Sequence, residues 1–239
     1  MAKGYFLFCF CLFGSCTLVD QDDELFNASQ LPQQSEASTK EVINYLALGD
    51  SYTIGEGVAE KDRWPIQLSE LLKEEWNIDF NVEIIAETGY STSELNKQIE
   101  KNSPAPDFDM VSILIGVNDQ FRGNTIEEYR DQLKITIESA IKLAKGSSSK
   151  VFVVSIPDWS FTPFGTNYDK AKISKEIDDF NKVGKAVSEN LNVKFIDITP
   201  ISRISSEAYD LVVSDGLHPS RKMYALWVDE IFKGVKEFY

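Results

Sequence analysis

Histidine is almost missing from this chain: His218 is the only one in 239 residues. Cysteine is nearly as scarce, with three, and two of them, Cys9 and Cys11, lie close to the start. A thiolate or imidazole metal site needs several such ligands, so none is expected. Basic residues are in deficit, 24 Lys and Arg against 38 Asp and Glu, for a formal charge of −14. That balance makes nucleic acid and anionic lipid poor partners, because neutralising phosphates needs clustered Lys and Arg. Long apolar runs are missing too. The one candidate, Tyr5 to Phe13, is far shorter than the ~20 residues that span a bilayer.

What the N-terminus does hold is a charged start with Lys3, that short apolar run, and Gly14-Ser15 ahead of Cys16. This order reads as an export signal over residues 1–15. Its small-small-Cys ending resembles the lipobox of bacterial lipoproteins, although Phe13 stands where Leu is usual. On that reading Cys16 becomes the lipidated first residue, and the protein is exported and membrane-anchored, in the periplasm or on the cell surface. The alternative is an ordinary signal peptide that contains a Cys. Cleavage would leave Cys16 alone, so no disulfide could form. Residues 16–40 are polar, acidic and without periodicity, as in a flexible tether. Residues 41–239 remain, enough for one domain with a full-sized core.

Through that domain short apolar runs alternate with longer amphipathic ones. Val42 to Leu48, Phe80 to Ala86, Met110 to Ile115, Val151 to Ile156 and Val193 to Ile198 read as strands. Leu68, Leu71, Leu72 and Trp76 are at helical spacing behind Pro65, which suits a first turn. Ser91 with Glu94, and Thr125 with Glu128, form capping boxes. Further apolar stripes run from Ile126 to Ile141, from Ile173 to Val187, and through Met223, Leu226, Trp227, Ile231, Val235 and Phe238. Such alternation predicts an α/β fold: a parallel sheet of five strands with helices on both faces, joined by right-handed crossovers. Sites in these sheets form beyond the carboxyl ends of the strands.

The chemistry-bearing residues fall at those ends. Gly49-Asp50-Ser51-Tyr52 closes the first strand, and Ser51 could attack a carbonyl if a base takes its proton; Ser is equally at home as a helix N-cap. Only one imidazole can be that base, and His218 precedes Pro219, where a helix is expected to start. Asp215, across a Gly turn, is spaced to orient the ring, giving a nucleophile–base–orienter set. The competing reading is an ordinary surface turn. The Asn118 amide and the Gly89 N–H are oxyanion donors or plain turn residues. Tyr90, Phe121 and Trp159, with an aromatic loop from Asp158 to Tyr168, either wall a substrate site or cover core.

Gly-Asp-Ser, the Gly89 loop, Gly116-x-Asn118-Asp119 and Asp215-x-x-His218 occur in one order, and this set resembles the SGNH hydrolases, the GDSL lipase/esterase superfamily. The resemblance runs from about Tyr45 to the C-terminus. It implies a flavodoxin-like three-layer α/β/α fold and ester hydrolysis through an acyl-enzyme, with no metal or organic cofactor. Ser51 would be the nucleophile, His218 the general base and then acid, and Asp215 its orienter. The Ser51 and Gly89 amides and the Asn118 side chain would form the oxyanion hole. Asp50 and Asp119 are expected to hold loops. The substrate expected is a small acyl ester such as an acetylated carbohydrate, with a lysophospholipase or acyl-thioesterase on longer chains as the alternative. A non-catalytic surface binding module is the reading from another class.

Overall fold

The computed structural model describes residues 41–204 and 209–239; the expected export signal, the expected lipidation at Cys16 and the expected tether lie outside the described residues. Five parallel strands form one sheet in the order β2-β1-β3-β4-β5. They are β1 (Val42–Gly49), β2 (Asp79–Ala86), β3 (Met110–Leu114), β4 (Val151–Val154) and β5 (Lys194–Ile196). Every residue of β3 and β4 is buried, as befits central strands covered on both faces, whereas β2 alternates as an edge strand does.

Strand order reverses between β1 and β3. With right-handed crossovers, helices before and after the reversal fall on opposite faces. Accordingly α2 (Trp64–Trp76) packs with α8 (Arg221–Val235), while α5 (Ile126–Leu143) packs between α3 (Thr92–Asn102) and α6 (Lys170–Asn190). Trp64, Leu68 and Leu72 meet the core from the first side with Trp227 and Ile231; Tyr129, Leu133, Ile137, Ile177 and Phe180 meet it from the second. Both capping boxes form. The Glu94 carboxylate accepts from Ser91 N at 2.8 Å, and that of Glu128 from Thr125 N at 2.9 Å.

Several boundaries depart from the sequence pattern. β4 and β5 stop two residues early because side chains take over the ladder: Ser155 Oγ accepts from Ile198 N at 2.8 Å, and Asn181 brackets Ile156 by bonding both its N–H and its C=O. Leu226 is 38% exposed and Phe238 lies past the end of α8, so neither belongs to that helix's buried stripe. The last helix begins at Arg221 behind Ser220, not at Pro219. Among the described residues no helix is long and apolar enough to cross a membrane.

Candidate active site

β1 delivers Asp50 and Ser51 to the point where strand order reverses. Asp50 caps the single-turn α1 (Ser51–Ile54) by accepting from Tyr52 N at 3.0 Å. That leaves Ser51 as the first helical residue, 4% exposed, so its amide has no intrahelical acceptor.

The other half of the site comes from a fold-back loop just ahead of α8. Val213 N donates to His218 O at 2.8 Å, Ser220 N to Leu211 O at 3.0 Å, and Val212 bridges Pro219. Pro219 is therefore held in an extended pair, which is why the helix starts later. At the loop's tip the Asp215 carboxylate accepts from Leu217 N (2.7 Å) and His218 N (3.0 Å) through one oxygen. Its other oxygen lies 2.6 Å from His218 Nδ1, and His218 Nε2 lies 2.9 Å from Ser51 Oγ. Burial raises the Asp215 pKa, but the bonds from the His218 ring and from the two amides outweigh it and hold it below the usual carboxylate value. An ionised carboxylate only accepts, so the imidazole proton sits on Nδ1. Nε2 then offers its lone pair to the serine hydroxyl.

Opposite, α4 (Val117–Arg122) carries Asn118. Asn118 Nδ2 donates to Tyr90 O at 3.0 Å and, at the long distance of 3.5 Å, to Asp50 Oδ2, a weak bond that a developing oxyanion can replace. Gly89 stands at φ +88° in the loop after β2, and its N–H has no acceptor among the described residues. Ser51, Gly89, Asn118 and His218 all line a cavity of about 190 Å³. Its remaining walls are mostly apolar: Val117, Phe121, Trp159, Phe164 and Leu217.

Two carboxylates nearby serve the scaffold. Asp119 accepts from Thr92 N (2.8 Å) and Oγ1 (2.9 Å) and from Asn124 Nδ2 (3.1 Å), tying α3 to α4. Asp50 is fully buried, and that burial, reinforced by the like charge of Asp119, raises its pKa from 3.8 to about 8 against the hydrogen bonds it accepts. Among the described residues no group of three or more His, Cys, Asp or Glu could hold a metal ion.

Of the residues expected to meet substrate, Phe121 and Trp159 line the cavity and Tyr90 does not. The Tyr90 hydroxyl turns to Glu87 at 2.7 Å, and what the residue gives the site is its backbone carbonyl, which holds Asn118. Sequence reasoning passed over Val117, Leu217 and Gln120. Val117 and Leu217 directly adjoin motif residues, which could have marked them. Gln120 Oε1 accepts from Trp159 Nε1 at 2.8 Å, while its amide donates to Glu176 at 2.7 Å, so it fixes the tryptophan from behind; no local pattern announces that.

Residues 47–226 match the model of the GDSL-like lipase/acylhydrolase family. The chain belongs to that family. It is therefore a carboxylic ester hydrolase of the SGNH/GDSL type. Solved structures with the same fold include esterase EstA from Pseudoalteromonas sp., at 19% identity and TM-score 0.59 over 82% of this chain and 97% of that one. Axe2, an acetylxylan esterase from Geobacillus stearothermophilus, aligns at 18% identity and TM-score 0.64 over 81% and 94%. The lipase/acylhydrolase from Enterococcus faecalis aligns at 23% and 0.57 over 81% and 95%. A search of curated proteins found no match. At these identities the structural likeness speaks for the SGNH fold alone.

Proposed function

We propose that this GDSL esterase removes small acyl groups, acetyl above all, from carbohydrate esters through an acyl-enzyme on Ser51. The observation that carries the reading is the unbroken chain Ser51–His218–Asp215, with contacts of 2.9 and 2.6 Å, on the wall of a cavity with room for a short acyl group. His218 Nε2 takes the Ser51 proton as Oγ bonds to the ester carbon. The carbonyl π electrons move onto oxygen, where the Ser51 and Gly89 amides and the Asn118 amide donate to the oxyanion. Collapse breaks the bond to the alcohol, whose oxygen receives the proton from His218, and Asp215 stabilises the transient imidazolium. Water then repeats the sequence on the acyl-serine.

The alcohol side has its own support. Across Phe121 and Trp159 lies a second groove of about 410 Å³, lined also by Gln120, Tyr168, Asp169, Lys172 and Glu176. Phe121 and Tyr168 are 50% and 45% exposed there. Exposed ring faces beside amide, carboxylate and ammonium groups suit a neutral, hydroxyl-rich leaving group. A void behind the cavity, between Leu217 and Met223, is only about 10 Å³, which favours a short acyl group over the lysophospholipase or acyl-thioesterase alternative.

A p-nitrophenyl ester series on the wild type and on Ser51→Ala tests the reading. Activity should be highest at two to four acyl carbons, and Ser51→Ala should lose on the order of 10⁶ in kcat. A rise toward eight or twelve carbons would overturn the short-acyl assignment. Equal hydrolysis by both proteins would overturn the role of Ser51.

A further inference from the structure

We propose that Arg122 is a positioning residue for the oxyanion hole: it clamps the Gly89 carbonyl and thereby aims the Gly89 N–H at the reacting ester. The proposal rests on Ser51 being the nucleophile. Arg122 ends α4, four residues after Asn118, so the two project from the same side of one helix. Its Nη2 donates to Gly89 O at 2.5 Å and its Nη1 to Glu94 Oε2 at 2.8 Å. The same Glu94 oxygen accepts from Ser91 N and from Ser91 Oγ, both at 2.8 Å. Those amide and hydroxyl bonds, together with the guanidinium, lower its pKa to about 2 despite partial burial, so the anchor stays charged across the working range.

The loop needs such an anchor at this residue. At φ +88° Gly89 occupies a region that only glycine enters at little cost, and a glycine peptide is also the one most free to rotate out of place. Its neighbours are tied elsewhere, Thr88 Oγ1 to Glu56 and Tyr90 O to Asn118. The Gly89 carbonyl is held by Arg122. A planar guanidinium that bridges two partners through two nitrogens, one to Gly89 O and one to Glu94, fixes direction as well as distance, which a single ammonium cannot. Arg122 is half exposed and borders the second groove beyond Phe121 but not the reaction cavity, so its reach to the reacting carbonyl passes through Gly89, and a small ester such as p-nitrophenyl acetate isolates that effect.

An oxyanion donor acts mainly in the transition state, where one is worth about 10² to 10³ in kcat. Arg122→Ala, which misdirects a donor without deleting it, should lower kcat for p-nitrophenyl acetate by about ten- to a hundredfold with KM within threefold. Affinity for phenylboronic acid, a tetrahedral adduct of the serine, should fall in step, and millimolar guanidinium chloride should restore part of kcat. Arg122→Lys should fall between. Loss of KM alone, a kcat within twofold of wild type, or a loss that neither boronate affinity nor guanidinium follows would overturn the proposal. Should Arg122→Ala fail to fold, the same kcat and boronate readings on Glu94→Gln decide: a parallel fall supports the clamp, and no change overturns it. Failure of the Ser51 reading is separate, since it appears as activity in Ser51→Ala.

Discussion

Asp50 and Asp119 put two carboxylates into the interior behind Ser51, and only one of them has a full set of donors. Asp119 meets three, whereas Asp50 has the Tyr52 amide and the distant Asn118. With its pKa raised from 3.8 to about 8, Asp50 stays protonated in the folded protein at pH values where the unfolded chain has already released the proton. The unfolded state therefore binds fewer protons over that window. This group's favourable contribution is complete below its ordinary value and is lost as pH rises toward about 8. Tm against pH should fall across that range in the wild type, and Asp50→Asn should flatten the fall. An identical slope in both proteins would remove Asp50 as its cause. At this scale the sequence is legible where a residue type is scarce or sits in a motif: one histidine left one candidate base. It is illegible where a side chain works through a distant partner. Gln120 behind Trp159 and Arg122 on Gly89 act through bonds that no local pattern encodes, and Tyr90, chosen for its ring, contributes a carbonyl instead.

The elements that carry the site are short, and their ends do the positioning. Gly116 caps the start of α4, and its φ of +126° turns the chain from β3 into the helix so that Asn118 faces the cavity. A methyl group there would lie 2.5 Å from Tyr129 Cε2, a buried ring on α5. Gly123, at the other end of α4, also has positive φ, but a methyl there meets nothing within 4 Å. The two positions therefore separate strain from overlap. Gly123→Ala carries backbone strain alone, about 1–2 kcal/mol. Gly116→Ala adds overpacking of about 1–3 kcal/mol to comparable strain, for a total of about 2–5 kcal/mol. Urea denaturation should rank them in that order; equal losses would mean that Tyr129 yields freely. Helices with capping boxes and apolar stripes were readable in the sequence because period and cap coincide. Single-turn pieces such as α1 and α4 were not, because six residues or fewer hold too little periodicity to register.

At the scale of the whole molecule, the strand order places the ends of β1 and β3 side by side and the fold-back loop before α8 above them, so groups 167 residues apart meet at hydrogen-bond distance. The parallel α/β class followed from strand–helix alternation, and the exit of sites at strand ends followed from that class. The permutation of the strands did not follow from alternation, because it depends on which edges pair, and pairing is a long-range property. Charge is the other property of the whole. The chain carries a formal charge of −14, and beside the cavity Glu56, Glu87 and Glu94 bond to Thr88, Tyr90 and the clamped Arg122. A neutral acetyl ester crosses that field without cost, while an ester bearing its own carboxylate is repelled from the mouth. Screening shortens the reach of such fields to about 10 Å at 0.1 M salt. Between 10 and 300 mM NaCl, kcat/KM for a succinyl monoester should therefore rise about threefold or more, while that for the acetate stays level. Parallel salt responses for the two esters would show that the excess acid lies too far from the site to be felt there, and that discrimination against anionic substrates has to come from the cavity walls themselves.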